Sequence, residues 1–466
     1  MSEHAALPGL DHYAMKSMDY GQLTGLAIGA HAISDCFLLM HVGVGCKDKA
    51  TAHLLVHDWK EHANLREGWT EVGDRDLILG ASDRAGPYLR SWYKRMEPGV
   101  MVCTSVTFLD LAGEDLPDKL EAAAEDVPCP VLYIKAPGYE PDLYAGYAKL
   151  VLAIAQQVPW KQAATKPDEV TLLGYLFDRY EGDHQGNLQQ LRGLLKMVGL
   201  NLGRTLFSGQ PYADHLDAWT AGHVIELPYT LPVRKKLKRL LRGREPIVTD
   251  LPMGIRGSSR WVRTVAEAVG ADLRKVEAQI TSREAYVWKQ VETMLDRWRS
   301  RGVAVIAEPP LAAGLCSLLI ELGLRPVYVG LRGETLGGAR ALREALERDG
   351  FALDEGTVVV ENPSLYGLRE SMLALLREGV LDGVFGSATE LNTLTSLAPK
   401  EYLREHVIGR VEPQGPFFVE IGFPCRDFHA MLPMPYLGYG GVVVLGQRIV
   451  DARRVWDAGR GMTYQL

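Results

Sequence analysis

Short apolar runs alternate with longer amphipathic stretches along most of this chain, and the alternation is clearest in its last third. Residues 303–307 (Val-Ala-Val-Ile-Ala) predict a strand and residues 311–322 the helix that follows it. The scheme repeats with strands over 327–329 and 357–360 and helices over 338–347 and 365–378, and strands at 383–386 and 417–420 complete the set. Between about 168 and 295, strands are expected at 170–174, 223–227 and 246–248, with helices over 186–198 and 288–301. The first stretch predicts strands at 35–40, 76–79, 100–103 and 131–134. Runs that are apolar throughout, rather than alternating, suit strands covered on both faces, and strand–helix repetition implies parallel sheets. The expected fold class is α/β, with three consecutive Rossmann-like domains at 1–166, 167–300 and 301–466, the last ending in a C-terminal helix. In such domains ligands meet the turns at the carboxyl ends of the strands.

Composition supports this and narrows the function. A length of 466 residues suits about three domains. With 47% hydrophobic and 23% charged residues the chain can bury large cores, and a net charge of −7 gives no reason to expect nucleic acid as a partner. The basic run from Arg234 to Arg239 sits at helical spacing and reads as a solvated helix face. No apolar run approaches the length of a membrane span and the N-terminus lacks an apolar signal core, so a soluble, cytoplasmic protein is expected. Six scattered cysteines do not form a disulfide framework.

Several familiar motifs fail. Gly330-Leu331-Arg332-Gly333 lacks the third glycine of a dinucleotide fingerprint, and Gly43 to Lys49 lacks the Gly-Lys-Ser/Thr ending of a phosphate loop. No Gly-x-Ser-x-Gly elbow is present. His53, His57 and Glu61 share a helical face, but Leu54 stands where a zincin carries glutamate, so a solvent-facing helix is the reading. Packing is the default for Cys36, Cys103 and Cys316, which lie in apolar segments, and Cys129 between two prolines reads as structural. Cys46 differs. It follows a strand inside a turn of small residues, Val42-Gly43-Val44-Gly45-Cys46, where glycines permit close backbone approach and Lys47 and Lys49 would favour a thiolate. On residues alone, ligand and bystander stand even.

From Cys46 onward the chain resembles the nitrogenase component 1 superfamily, which includes the dinitrogenase subunits, their cofactor-assembly scaffold, the light-independent protochlorophyllide and chlorophyllide reductases, and methylthio-alkane reductase. His41-Val42-Gly43-Val44-Gly45-Cys46 is similar to the family's first cluster-cysteine turn. The stretch from Thr70 to Ala81, then Gly113-Glu114-Asp115-Leu116, Ala136-Pro137-Gly138-Tyr139 and Gly146-Tyr147 follow in family order. Leu251-Pro252-Met253-Gly254-Ile255 and the Trp261 to Glu267 helix resemble β-type subunits. Gly386-Ser387-Ala388-Thr389-Glu390 resembles the family's Gly-Ser turn, and Ile421-Gly422-Phe423-Pro424 with Leu437-Gly438-Tyr439-Gly440-Gly441 matches the closing pair of motifs, the most specific of the set.

The resemblance implies a β-type oxidoreductase subunit that shares an iron–sulfur cluster, of four-iron or P-cluster type, with a homologous α-type subunit in a two-plus-two hetero-oligomer. It also implies electrons from an ATP-dependent iron protein and a small-molecule substrate. Cys46 is then the metal and cofactor ligand. The second family cysteine would fall near Gly68 or Trp69 and the third near Thr107, and none of these is cysteine. Cys103 is a secondary candidate only if its loop shifts, and Cys425 and His429 are candidates for lining a substrate cavity, with packing as the alternative. The α-type cofactor cysteine would fall near Glu226 or Leu227, so an anchored active-site metallocofactor is not expected. These departures argue against nitrogen fixation. With no element resembling either pigment-reductase subunit, the expectation leans to reductive cleavage of methylthio-alkanes. A cofactor-assembly scaffold and a tetrapyrrole reductase subunit are the alternatives.

Overall fold

In the computed structural model, which describes residues 20–57, 66–73, 75–105, 116–137, 142–395 and 416–457, every ladder between strands is parallel. The first sheet contains β1 (Cys36–His41), β2 (Glu67–Trp69), β3 (Val100–Ser105) and β4 (Val131–Tyr133), in the order β2-β1-β3-β4. The second contains β5 (Lys166–Leu173), β6 (Asn201–Thr205), β7 (Ala221–Glu226) and β8 (Ile247–Val248), in the order β6-β5-β7-β8. The third contains β9 (Gly302–Ala307), β10 (Arg325–Leu331), β11 (Val358–Glu361), β12 (Gly383–Gly386) and β13 (Phe417–Glu420), in the order β11-β10-β9-β12-β13. All three wind alike. The chain enters at an inner strand, steps to one side, then crosses back over its start, which opens a crevice at the carboxyl ends where the order reverses.

The chain divides into two compact units, one of residues 20–184 and 195–249, the other of residues 185–194 and the chain from 250 onward. The first unit holds the first two sheets and the second unit the third. The burial of β1, β3 and β9 is continuous, as the unbroken apolar runs require. In the first unit, helices Ala85–Met96 and Leu116–Ala124 cover one face of the first sheet through Ala85, Leu89, Leu116 and Leu120 against Phe37, Leu39, Met101 and Cys103.

Three sequence expectations change. Residues 76–79 form a helical turn, Asp76–Leu79, instead of a strand, and β2 lies upstream. A three-residue apolar run has no decisive period, and here the Asp76 carboxylate settles the turn by accepting Gly73 N–H at 2.8 Å and two Arg84 bonds at 2.9 and 2.6 Å. β6 has no apolar run to announce it and exists through its pairing with β5. The helix expected from Trp288 begins at Leu273, since no glycine or proline interrupts Leu273–Trp298.

Within the first unit, helix Gln22–His31 crosses helix Leu143–Gln157 with glycines on both sides. A Cβ on Gly25 would lie 1.7 Å from the Leu143 carbonyl oxygen, and one on Gly146 would lie 2.0 Å from the Gln22 oxygen. The obstacles are backbone atoms, which cannot rotate aside. Gly25→Ala and Gly146→Ala should each destabilise by at least the upper end of the roughly 1–3 kcal/mol typical of overpacking. Gly193→Ala, a helical position with nothing within 4 Å, should instead gain up to about 1 kcal/mol. Urea denaturation midpoints of the three variants check both signs.

Candidate functional site

β1, β2 and β3 end together, with Met40 opposite Trp69 and His41 opposite Ser105. The chain leaving β1 turns at Gly43 directly into helix Val44–His57, so Cys46 occupies a first helical turn and not a free loop. The N–H groups of Cys46 and Lys47 both donate to the Gly43 carbonyl at 3.2 Å. Val72 N–H donates to Val42 O at 3.2 Å, and a Cβ on Gly43 would stand 3.1 Å from Val72 O. The turn is therefore laid flat against the segment that follows β2, in a fit that a side chain at position 43 would tighten. Cys46 is half-buried, and Val44 beside it is 59% exposed. Side chains of His53 and His57, and the whole of Glu61, lie outside the described residues.

Near Gly68 and Trp69, where the resemblance would lead one to expect a second cysteine, the end of β2 carries Trp69. Lys47 Nζ lies 4.2 Å from the centre of its ring, 2.9 Å from Asp48 and 3.8 Å from Glu67. Thr51 Oγ donates to the Lys47 carbonyl at 3.0 Å and to Glu67 at 3.4 Å. Burial pushes the Glu67 carboxyl up, against the pull of Lys47 and Thr51. The lysine that the sequence places next to the thiol is thus engaged by an aromatic face and two carboxylates. At the same strand ends, His41 Nδ1 and Thr70 Oγ are 2.8 Å apart, as are Ser105 Oγ and Tyr133 Oη. Thr107, Gly113, Glu114, Asp115, Gly138 and Tyr139 lie outside the described residues.

Among the described residues, no group of three or more His, Cys, Asp or Glu side chains is arranged to hold a metal ion. Cys103 does not join Cys46. It shares a face with Met101, its thiol sits in the apolar cluster of Phe37, Leu39 and Leu120, and burial drives the thiol pKa far above the ordinary range. The same cause acts on Cys36, and burial pushes Cys316 up to about 12. Register decides this: side chains two apart on a strand share a face, and the helices cover the face that carries Cys103.

In the other unit, Cys425 and His429 lie in the segment that leaves β13. That segment is folded around Glu420, the last residue of β13, whose carboxylate accepts the N–H groups of Arg426, Asp427 and Phe428 at 2.6, 2.8 and 2.7 Å. Arg448 stacks 3.5 Å from the Phe428 ring centre and donates to the Glu420 carbonyl. Cys425 is buried with its thiol 3.5 Å from the Phe428 carbonyl, and His429 is half-buried. Beside β12, Glu390 accepts the Ser387 N–H and hydroxyl at 2.7 and 2.5 Å and pairs with Arg332. The glycine-rich turn after β10 is filled from within, since Glu361 accepts Ala339 N–H at 2.5 Å and a Cβ on Gly338 would meet that carboxylate at 2.3 Å. Sequence reasoning named Glu390 only as part of a motif and Glu420 only as the end of a strand, and gave neither a role. The available signal was an acid closing, or closely following, an apolar strand.

Native alkylation with iodoacetamide of the chain purified alone and free of iron should modify Cys46 and Cys129, the half-buried thiols, and leave Cys36, Cys103, Cys316 and Cys425 unmodified until unfolding. Peptide mass mapping reads the order, and labelling of Cys103 at the rate of Cys46 would contradict its core placement. Glu420→Ala should open the 425–429 segment, bringing Cys425 into the reactive set while Cys316 stays protected.

The comparisons with known proteins follow this architecture. The family profile "Nitrogenase component 1 type Oxidoreductase" matches residues 22–453. The nitrogenase molybdenum-iron protein beta chain of Rippkaea orientalis is 20% identical over 462 residues, covering 92% of this chain and 82% of its own. The nitrogenase iron-molybdenum cofactor biosynthesis protein NifE of Rhizobium meliloti is 22% identical over 345 residues, covering 70% of this chain and 69% of its own. A chain of the solved structure "Nitrogenase Cp1 at pH 6.5" superposes with a TM-score of 0.73 at 17% identity, covering 93% of this chain and 92% of that one, which shows the same fold. With the family profile spanning nearly all of its length, this chain belongs to the nitrogenase component 1 type oxidoreductases.

Proposed function

We propose that the chain is the β-type subunit of a nitrogenase-like two-component reductase and that Cys46 is its single ligand to an iron–sulfur cluster shared with an α-type subunit. The observation that carries this reading is the isolation of Cys46. It is a half-buried thiol at the strand ends of the first sheet, no cysteine lies beside it among the described residues, and Cys36 and Cys103 are sealed in the core. One thiolate does not complete a cluster, so the remaining ligands come from a partner. Exposed Val44 beside the thiol and Leu79, 75% exposed in the segment after β2, are apolar surface suited to being covered. When bound, the cluster supplies a one-electron store between donor and substrate, with a potential set by its ligands and by water exclusion.

The reading includes a two-plus-two assembly, an ATP-dependent iron protein as electron donor, a cytoplasmic location and the three-domain division at 166 and 300. No helix among the described residues is long and apolar enough to cross a membrane. The substrate class to test first is a methylthio-alkane, whose carbon–sulfur bond is cleaved by two electrons and two protons to give the hydrocarbon and a thiol. Cys425 and His429 are the side chains assigned to the substrate side of the third sheet. Similarity to NifE supports a second reading, a cofactor-assembly scaffold. The longer match to molybdenum-iron protein beta chains favours the reductase.

The test is anaerobic co-purification with the α-type subunit, followed by iron and sulfide analysis. Cys46→Ser should pair normally and lose or alter the cluster, since a hydroxyl is a poorer iron ligand than a thiolate. Unchanged cluster content and spectrum in that variant would remove Cys46 from the ligand set, and an iron-loaded chain purified alone would contradict the shared site.

A further inference from the structure

β5 is an inner strand of the second sheet, flanked by β6 and β7, and the chain leaving it runs through residues 174–184 along the sheet's carboxyl edge. Gly174, at φ +75°, makes the exit, and a Cβ there would stand 2.6 Å from the Leu227 carbonyl oxygen. In most folded chains such a segment is a solvated loop. Here it buries Asp178, Arg179, Glu181, Asp183 and His184.

His184 is at the centre. Its Nε2 lies 2.6 Å from Asp178 Oδ1 and its Nδ1 lies 2.7 Å from the Tyr175 hydroxyl. The residue is 1% exposed and its ring packs against Phe177 and Tyr175. Asp183 accepts the His184 backbone N–H at 3.0 Å and is held by Arg179 through Nε at 3.2 Å, and Arg179 also reaches Glu181 at 3.8 Å. From helix Leu143–Gln157, the Tyr147 hydroxyl donates to the Tyr175 carbonyl and fixes the other end of the chain of bonds.

We propose that Asp178, His184 and Tyr175 form a proton-operated lock that holds the 174–184 segment closed over the ligand-facing edge of the second sheet while His184 is an imidazolium. In that state Nε2–H donates to Asp178 and Nδ1–H to the tyrosine oxygen. Loss of the proton turns Nδ1 into an acceptor for the Tyr175 hydroxyl, so both contacts persist, and what is lost is the positive charge between the buried Asp178 and Asp183 carboxylates.

The charges facing the ring decide the direction of titration. Burial by itself disfavours the imidazolium and Arg179 opposes it, but Asp183 and the hydrogen-bonded Asp178 outweigh them, and the pKa is raised. The imidazole's position near the start of helix Gly182–Met197 acts with burial, which Asp183 in the same turn offsets. With the folded pKa above the unfolded one, the stabilisation is complete below pH ~6.5 and is lost as pH rises through the raised value.

The test uses the full-length protein in the oligomeric form in which it purifies, labelled with ¹³C at histidine Cε1. The resonance absent from His184→Gln should titrate above the ordinary histidine value, and in Asp178→Asn it should titrate about one pH unit or more lower. Hydrogen exchange of amides 174–184, corrected for intrinsic pH dependence, should accelerate across the same pH range in the wild type and show no step in His184→Gln. A His184 resonance that titrates at or below the ordinary value, or that Asp178→Asn leaves unmoved, makes the histidine a neutral packed side chain and overturns the lock. If His184→Gln fails to fold, the Asp178→Asn shift and the wild-type exchange profile decide the matter by themselves.

Discussion

A parallel strand cannot return to its neighbour by a hairpin, so every connection must cross over the sheet and every strand delivers its carboxyl end to the same edge. That constraint organises this molecule. Cys46 follows β1, the Tyr175–His184 segment follows β5, and Cys425 and His429 follow β13, each beyond a strand's carboxyl end. The covering helices and continuous apolar strands exist to make those edges stiff. Chemistry then depends on which side chains the chain happens to carry as it leaves each strand.

In the unit that holds the third sheet, several backbone N–H groups at helix starts and strand ends are satisfied by the protein's own acids. Glu321 accepts the Ile255 and Arg256 N–H groups at 2.6 Å, Glu361 takes Ala339, Glu390 takes Ser387, and Glu420 takes three amides in succession. An anion arriving from solvent would meet carboxylates where a nucleotide-binding protein offers bare amides. At the glycine-rich turn after β10 the Glu361 carboxylate takes the place beside the Ala339 amide that a phosphate oxygen takes in such cradles. The first sheet differs, because the helix that carries Cys46 has no acidic residue in its first turn. The Cys46 and Lys47 amides there are satisfied by the Gly43 carbonyl and not by a carboxylate.

Legibility in the sequence followed the strength of local signals. The inner strands β9 and β12 of the third sheet bury every residue, and runs that are apolar throughout, such as Val303 to Ala307, read correctly without partners. β6 could not be read, because Asn201, Gly203 and Arg204 favour a strand only when β5 is already beside them. The Asp76–Leu79 turn was misread because a few apolar residues suit either period, and the deciding group, Arg84, lies downstream. The turn that leads from β1 to Cys46 was legible through its glycines. The direction of Cys103 was not, because it depends on which face of the first sheet the helices cover. The Asp178–His184–Tyr175 arrangement matches no spacing rule, since a bend in an irregular segment brings the three together.

The contact between Gly25 and Gly146 reaches further than local packing. Helix Gln22–His31 leads into β1 and helix Leu143–Gln157 leads into β5, and each of those strands lies inside its own sheet. Where backbone meets backbone there is no side chain to repack, so the two helices cannot slide or roll past one another by small steps. The lead strands of both sheets are therefore geared together. Any change in the spacing of the two helices has to move main chain and not side chains.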